Sequence, residues 1–153
     1  MNEVSTDVIR KELIIINSDL KSRDEIINTI TEAASKLDLI NDEKEYFDAV
    51  IRREDEISTA IGFDIAIPHG KTDVVTKPFI AFCRLNEKIH WANQDDELVQ
   101  MIFQIGVPES NSGNLHLKFI SEISKMLIDE AFREKLLVAK NADEIYNLLT
   151  QSK

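Results

Sequence analysis

The sequence predicts an α/β fold in which a mixed β-sheet of four to five strands is sandwiched by helices. Short apolar runs, rich in β-branched and aromatic residues, alternate along the chain with stretches of helical spacing. Inside each of these runs, apolar and polar residues barely alternate, which is typical of strands covered on both faces of the sheet. The stretch from Phe79 to Val107 has no helical pattern between its two apolar runs, which favours an antiparallel pair.

The first half of the chain is predicted to hold two strands and two helices. The first strand covers the β-branched run at residues 13–16. A helix follows from Ser22, because Glu25 three residues later gives capping-box spacing. The second helix is predicted over residues 42–53, and the second strand over residues 63–67.

The second half is predicted to hold two strands and then three helices. The strands cover residues 79–85 and 99–107, and a proline ends the later one. Helical spacing resumes at Asn114 and continues through the apolar positions that follow it. Two shorter helices are predicted near residues 131–138 and 142–149.

The length and composition indicate one globular domain over residues 1–153. Hydrophobic residues make up 43% and charged residues 30% of the chain, which argues against disorder. The lone cysteine, Cys83, lies in an apolar run, so we expect a buried thiol and a reducing compartment. Residues 1–12 lack the features of a secretory signal, and no apolar run approaches the ~20 residues of a membrane span. A cytoplasmic protein is expected.

The charge balance narrows the classes of partner. The chain carries 28 acidic and 18 basic residues, for a net charge of −10. Nucleic acid is disfavoured, because its phosphates would be repelled by the chain as a whole. A partner protein with a basic face suits this charge better.

His69 is the first candidate for chemistry because of its neighbours. It follows the apolar run at residues 65–67, which Pro68 ends because proline has no N–H to donate to a strand. Gly70 comes next and lets the backbone approach a ligand closely. An imidazole at a strand end can act as a base, a metal ligand or a covalent phosphate acceptor, and these residues alone leave all three open.

His116 and Arg53 are the other candidates. Asn114 is a favourable N-cap, so His116 is expected in the first turn of a helix, where the dipole favours an anion and a neutral imidazole. The alternative is a half-buried histidine on a core helix. Arg53, near the end of the second helix, either compensates the helix C-terminus or grips phosphate with two hydrogen bonds. The third histidine, His90, is expected in a surface loop.

The motifs of several other enzyme classes are missing from the sequence. There is no His-x-x-x-His and no Cys-x-x-Cys, which disfavours a zinc site. No Gly-x-Ser-x-Gly elbow supports a serine hydrolase. Neither a Gly-x-Gly-x-x-Gly run nor a complete P-loop is present. Any phosphoryl transfer therefore needs a donor other than a nucleotide held in a P-loop, and no metal or cofactor is expected.

Residues 53–71 closely resemble the signature of a known family. They contain Arg-Glu, then Ser-Thr-Ala-Ile-Gly, and finally Ile-Ala-Ile-Pro-His-Gly-Lys. This pattern is that of the enzyme IIA domains of the fructose–mannitol class in the bacterial phosphoenolpyruvate-dependent sugar phosphotransferase system. Downstream, Ile89-His90-Trp91 resembles an aromatic-bearing loop of the family, and residues 99–109 resemble the strand before its second histidine. His116-Leu117 resembles the His-Leu pair that opens the next helix.

The resemblance implies a phosphocarrier. His69 matches the histidine that receives a phosphoryl group on Nε2 from the small carrier protein HPr and passes it to a cysteine of the cognate enzyme IIB, which works with a membrane component, IIC. His116 matches the second active-site histidine, and Arg53 matches the arginine thought to hold the phosphate. Thr59 and Gly70 match positions that line the site.

Two roles inside the family and one outside it stay open. The favoured role is sugar uptake, since the match continues into Thr72-Asp73 and we expect no fused domain. The alternative is a nitrogen-type regulatory protein, which carries the same histidine and acts by phosphorylation-dependent binding of partners. A metal-dependent hydrolase would instead carry stoichiometric zinc. The chain departs from the family at the acidic run of residues 54–56, where many members have small residues, so the shape of that loop is not predicted.

Overall fold

The computed structural model describes residues 8–92, 97–110 and 113–151, and these residues form six strands and five helices. In chain order the elements are β1 (Ile9–Ser18), α1 (Arg23–Lys36), α2 (Glu43–Glu56), β2 (Ala60–Gly62), β3 (Ile65–Ala66), β4 (His69–Lys71), β5 (Phe79–His90), β6 (Leu98–Val107), α3 (Leu115–Leu127), α4 (Glu130–Val138) and α5 (Ala142–Gln151).

The strands form one mixed sheet in the order β1-β5-β6-β3-β2, with β4 also paired to β6. The long strands β5 and β6 are antiparallel, as the sequence predicts. β1 runs parallel to β5, and both β3 and β4 run parallel to β6. Since β3 and β4 follow one another along β6, the chain between them places His69 beside the carboxyl half of that strand.

Helices cover both faces of the sheet, which confirms the predicted sandwich. One face packs Phe82 and Phe103 against α3, α4 and α5. The other face packs Phe79 and Ala81 against α1 and α2. Cys83 lies in this second core, where burial raises the pKa of its thiol to about 11. The prediction of a buried structural thiol is therefore confirmed.

The strand predicted over residues 63–67 is wrong in its bounds. Phe63 and Asp64 have φ angles of 59° and 63°, and they form a two-residue turn between the antiparallel strands β2 and β3. After Pro68 the chain pairs again, as β4, where a loop was expected. The sheet therefore has six strands among the described residues, one more than the upper limit of the prediction.

Two other boundaries also differ from the prediction. Helix α2 continues to Glu56, so the acidic run at residues 54–56 is its last turn and not a loop. β5 continues to His90, which is therefore an exposed residue at a strand end. The capping prediction for α1 is confirmed, because Ser22 Oγ accepts a hydrogen bond of 3.1 Å from Glu25 N. No helix of the described residues has the length and apolar character needed to cross a membrane.

Candidate functional site

The candidate site is a cavity of about 220 Å³ where the end of α2, the strand β4 and the start of α3 meet. It brings together the three residues singled out first from the sequence, His69, His116 and Arg53. The full lining is Ala49, Arg52, Arg53, Glu56, His69, Lys71 and His116. A cavity of this size is below the roughly 300–1,000 Å³ of sites for drug-sized ligands, and it suits a small group such as phosphate.

His69 is held rigidly by the sheet. It opens β4, opposite Ile105 of β6, and only 8% of its surface is exposed. Its Nδ1 lies 3.0 Å from the carbonyl oxygen of Ile67. A carbonyl oxygen can only accept, so Nδ1 carries the hydrogen and donates it. In the neutral ring Nε2 then keeps a free lone pair, and this nitrogen is the available nucleophile.

The surroundings of His69 favour its neutral form. Burial lowers its pKa below the ordinary value for histidine, and the positive charge of Arg53 lowers it further. The bond to Ile67 and the negative charge of Glu54 act in the opposite direction, but the net shift is downward. Burial is the largest of these causes, and the repulsion by Arg53 is a smaller one.

His116 lies in the first turn of α3, as predicted, and is half-buried. Its ring centroid is 5.8 Å from that of His69, with 33° between the planes. Its Nδ1 is buried and has no hydrogen-bond partner among the described residues. Burial lowers the pKa of His116, and the charges of His69, Lys71 and Arg53 add to this effect.

The predicted cap of that helix is only partly present. Asn114 occupies the N-cap position of α3, but its side chain makes no capping hydrogen bond. The first-turn N–H groups are therefore not satisfied by this side chain. The sequence predicted that the helix dipole would favour a neutral His116, but burial is the largest cause of its lowered pKa, and the charges of neighbouring side chains follow.

Arg53 contacts the end of its own helix and also faces the cavity. Its Nη1 donates a hydrogen bond of 2.8 Å to the carbonyl oxygen of Ile57, the C-cap residue of α2. The same side chain lines the cavity. A guanidinium has five N–H donors and this bond uses one, so others are available to an anion.

The cavity is basic, although the chain is acidic. Three cationic side chains, Arg52, Arg53 and Lys71, line it together with one carboxylate, Glu56. Lys71 also donates a hydrogen bond of 3.1 Å to the carbonyl oxygen of Gly113, just before α3. Against the net charge of −10 of the whole chain, this concentration of cations indicates a site for an anion.

Thr59 and Gly70 lie next to the cavity in supporting positions. The hydroxyl of Thr59 donates a 2.7 Å hydrogen bond to Glu54. A Cβ at Gly70 would lie 2.9 Å from Val50 Cγ2 and 3.0 Å from Tyr46 Cε1, so this glycine allows α2 to pack closely on β4. Direct contact of either residue with a bound phosphate stays a prediction.

Sequence reasoning missed Glu54 and Trp91 as parts of the site. Glu54 is 4% exposed and accepts hydrogen bonds from Thr59 N at 2.7 Å, Thr59 Oγ1 at 2.7 Å and Trp91 Nε1 at 2.8 Å. The available signals were the Arg-Glu pair and the only tryptophan of the chain. Glu54 was not recognised because it belongs to a run of three acidic residues, a pattern typical of solvent-exposed surface.

Two features of the described residues bear on alternative sites. Within the described ranges, no group of three or more His, Cys, Asp or Glu residues is placed to hold a metal ion. A larger cavity of about 630 Å³ lies between α4 and α5 and is lined by residues such as Phe132, Lys135 and Glu144, without a histidine. The cavity at His69 is therefore the better candidate for phosphoryl chemistry.

The chain matches a family model over residues 7–152. The family is described as "Phosphoenolpyruvate-dependent sugar phosphotransferase system, EIIA 2". The match includes all of the cavity residues and the three elements that carry them, α2, β4 and α3.

Curated relatives share about a third of their residues with the chain. The fructose-specific EIIA component of Haloferax volcanii is 34% identical over 151 residues, which cover 99% of this chain and 97% of that protein. The fructose-specific EIIABC component of Bacillus subtilis is 33% identical over 146 residues, 95% of this chain. The chain spans only 23% of that longer protein.

Solved structures share the fold over almost the whole chain. The nitrogen regulatory protein IIA-Ntr from Neisseria meningitidis has a TM-score of 0.85 at 25% identity, covering 95% of this chain and 98% of that one. Enzyme IIAMTL from Escherichia coli, solved in complex with phosphorylated enzyme IIBMTL, has a TM-score of 0.78 at 25% identity, covering 93% and 98%.

Proposed function

Because this chain belongs to the EIIA 2 family of the phosphoenolpyruvate-dependent sugar phosphotransferase system, we propose that it carries a phosphoryl group on Nε2 of His69. The observation that supports this most directly is the hydrogen bond between His69 Nδ1 and the Ile67 carbonyl oxygen, at 3.0 Å. It selects the tautomer in which Nε2 is nucleophilic, in a cavity lined by Arg53 and His116.

The proposed donor is phospho-HPr. The lone pair of His69 Nε2 attacks the phosphorus, and the N–P bond to the donor histidine breaks with its electron pair returning to that ring. The proton on His69 Nδ1 stays in its bond to Ile67, and the donor ring, which carries a proton on its other nitrogen, leaves as a neutral imidazole, so no proton is transferred in this step. The transition state spreads charge over three oxygens, which donors from Arg53 and His116 can stabilise.

The proposed acceptor is a cysteine of a cognate enzyme IIB, which delivers the phosphoryl group to a sugar taken up through the membrane component IIC. The thiolate attacks phosphorus and the bond to His69 Nε2 breaks, leaving the neutral ring. Support comes from the similar enzyme IIAMTL, whose solved complex contains phosphorylated enzyme IIBMTL. The relationship to fructose-specific components supports the sugar-transport role.

A second candidate function is nitrogen-type regulation by phosphorylation-dependent binding. Its support is the structural similarity to the nitrogen regulatory protein of Neisseria meningitidis, with a TM-score of 0.85. In that case the same phosphohistidine would control the affinity for another protein instead of feeding an enzyme IIB.

The test is incubation of the purified chain with phosphoenolpyruvate, enzyme I and HPr, followed by intact mass and acid-lability analysis. We expect one acid-labile phosphate on His69, and none in the His69→Ala variant. Uptake of phosphate by that variant would exclude His69 as the acceptor. Growth of a deletion strain on single sugars then separates the two roles, because only the transport role makes uptake of a sugar depend on this chain.

A further inference from the structure

We infer that Glu54 is a positioning residue that holds His69 in its reactive tautomer through Thr59 and the backbone of Ile67. The inference rests on the proposed function only in taking His69 as the phosphoryl acceptor. Glu54 itself makes no hydrogen bond to the His69 ring, so it acts through the residues between them.

The connection is a continuous series of short hydrogen bonds. Glu54 accepts from both the N–H and the hydroxyl of Thr59, each at 2.7 Å. The carbonyl oxygen of Thr59 accepts from Ile67 N at 3.1 Å. The carbonyl oxygen of Ile67 then accepts from His69 Nδ1 at 3.0 Å. The carboxylate of Glu54 therefore fixes, through these bonds, the position of the Ile67 carbonyl that selects the tautomer of His69.

Burial shows that this carboxylate is not an ordinary surface charge. Glu54 lies on the inward stripe of α2, at the same spacing as the buried residues Tyr46 and Val50. A buried carboxylate is costly unless its oxygens accept hydrogen bonds. The third donor, Trp91 Nε1 at 2.8 Å, comes from just after β5. Through these hydrogen bonds, Glu54 connects α2 to the residue before β2 and to the residue after β5.

Geometry and charge can be separated by two substitutions. In Glu54→Gln the carbonyl oxygen can accept from Thr59 N and Trp91 Nε1, while the amide donates to the Thr59 hydroxyl, which also has lone pairs. The negative charge is lost but the bonds are kept. In Glu54→Asp the charge is kept, but the chain is shorter by one C–C bond of about 1.5 Å and cannot reach all three donors.

The experiment measures two quantities in each variant: the tautomer of His69, from ring ¹⁵N chemical shifts, and the rate of phosphate uptake from phospho-HPr. We expect Glu54→Gln to keep the Nδ1-protonated tautomer and a rate within about threefold of wild type. We expect Glu54→Asp to give a mixture of tautomers and a rate about 10–100-fold lower, the range known for losing the hydrogen bonds that orient metal-ligating histidines. Asp55→Asn is the matched control, because it removes the neighbouring, exposed charge without touching Thr59.

The reverse pattern, with Glu54→Gln impaired and Glu54→Asp normal, would overturn the inference, because it would assign the effect to charge. Normal behaviour of both variants would overturn it as well. If Glu54→Asp does not fold, Thr59→Val removes one of the two bonds between Thr59 and Glu54, and a His69 tautomer equal to wild type in that variant would refute the role. A wild-type chain that takes up no phosphate would refute the proposed function instead, while the tautomer measurement would still decide the role of Glu54.

Discussion

At the residue scale, the tautomer and the charge of His69 depend on a single backbone carbonyl and on burial. The bond from Nδ1 to Ile67 leaves the lone pair on Nε2, and burial lowers the pKa of the ring and so favours its neutral form. Neither effect needs a charged partner. Under the proposed function, the remaining donors of the cavity cations can then bind the phosphoryl group.

Replacing Arg53 by lysine tests whether the shape of this cation matters. Lysine keeps the charge but loses the planar fork that can bond two phosphate oxygens at once. We expect phosphate uptake from phospho-HPr to slow by about tenfold, which corresponds to about 1.4 kcal/mol of transition-state stabilisation. Arg23→Lys, in α1, is the matched control and should behave as wild type. Uptake by Arg53→Lys at the wild-type rate would remove this arginine from the mechanism.

The pH dependence of the two histidines gives a second prediction at this scale. The pKa values of His69 and His116 are both lowered in the folded chain, mainly by burial. Both rings therefore take up their proton at a lower pH than an ordinary histidine does, and phosphate uptake should fall as the pH drops through these lowered pKa values and stay constant above them. Titration of the ring protons by NMR checks this in the folded protein. In concentrated urea both rings should return to ordinary values, and midpoints unchanged by unfolding would contradict the prediction.

The sequence was sufficient to identify His69, His116 and Arg53 as candidates, because each lies in a distinctive local pattern. It was not sufficient for Glu54, whose neighbours Asp55 and Glu56 are exposed acidic residues on the same helix turn. Only the helical rotation, which places residue 54 one turn after the buried Val50, distinguishes them. That rotation could not be used while the helix was expected to end at Arg53.

At the scale of elements, the close contact between α2 and β4 brings Arg53 and His69 into one cavity. Gly70 allows this contact, because a side chain there would meet Val50 and Tyr46. Tyr46 also reaches through to the sheet, where its hydroxyl donates a 3.0 Å hydrogen bond to the carbonyl oxygen of Ile105. The helix is therefore held against the strand by both packing and a buried hydrogen bond.

Gly70→Ala should weaken this contact. The added methyl group would lie 2.9 Å from Val50 Cγ2, so α2 has to move outward, at a cost of about 1–3 kcal/mol in the free energy of unfolding. Urea unfolding measures the stability. A slower phosphate uptake from phospho-HPr would report a displacement of Arg53 from His69. Adding Val50→Ala to Gly70→Ala should recover part of the loss. If the two substitutions are simply additive, the clash is not the cause.

The strands near the site show why the sequence was less informative there. Two-residue hairpin turns with positive φ usually contain Asn or Gly, but here the turn residues are Phe63 and Asp64. Tertiary contacts support them instead: the Arg133 guanidinium lies 3.9 Å from the Phe63 ring centroid, and Lys88 pairs with Asp64 at 2.8 Å. Because these partners are distant in sequence, one continuous strand was the natural prediction.

At the scale of the whole molecule, the sheet separates two apolar cores, and α4 belongs to the core on the face away from α1 and α2. Arg84 of β5 fastens α4 to the sheet. It is buried, and its Nη1 donates hydrogen bonds of 2.8 Å to the carbonyl oxygens of Leu136 and Ala139. These carbonyls belong to the end of α4, where no further turn of helix can satisfy them.

Arg84→Met should therefore separate stability from chemistry. Methionine keeps an apolar stem but leaves the two carbonyls unpaired, and we expect a loss of about 1–3 kcal/mol in the free energy of unfolding, measured in urea. Arg84 pairs with Met101 of β6, whereas His69 pairs with Ile105, four residues and roughly 13 Å further along that strand. The rate of phosphate uptake should therefore stay at the wild-type value. Arg84→Lys, which keeps a donor, should lose less stability. A fall in the uptake rate that parallels the fall in stability would show instead that the site depends on the anchoring of α4.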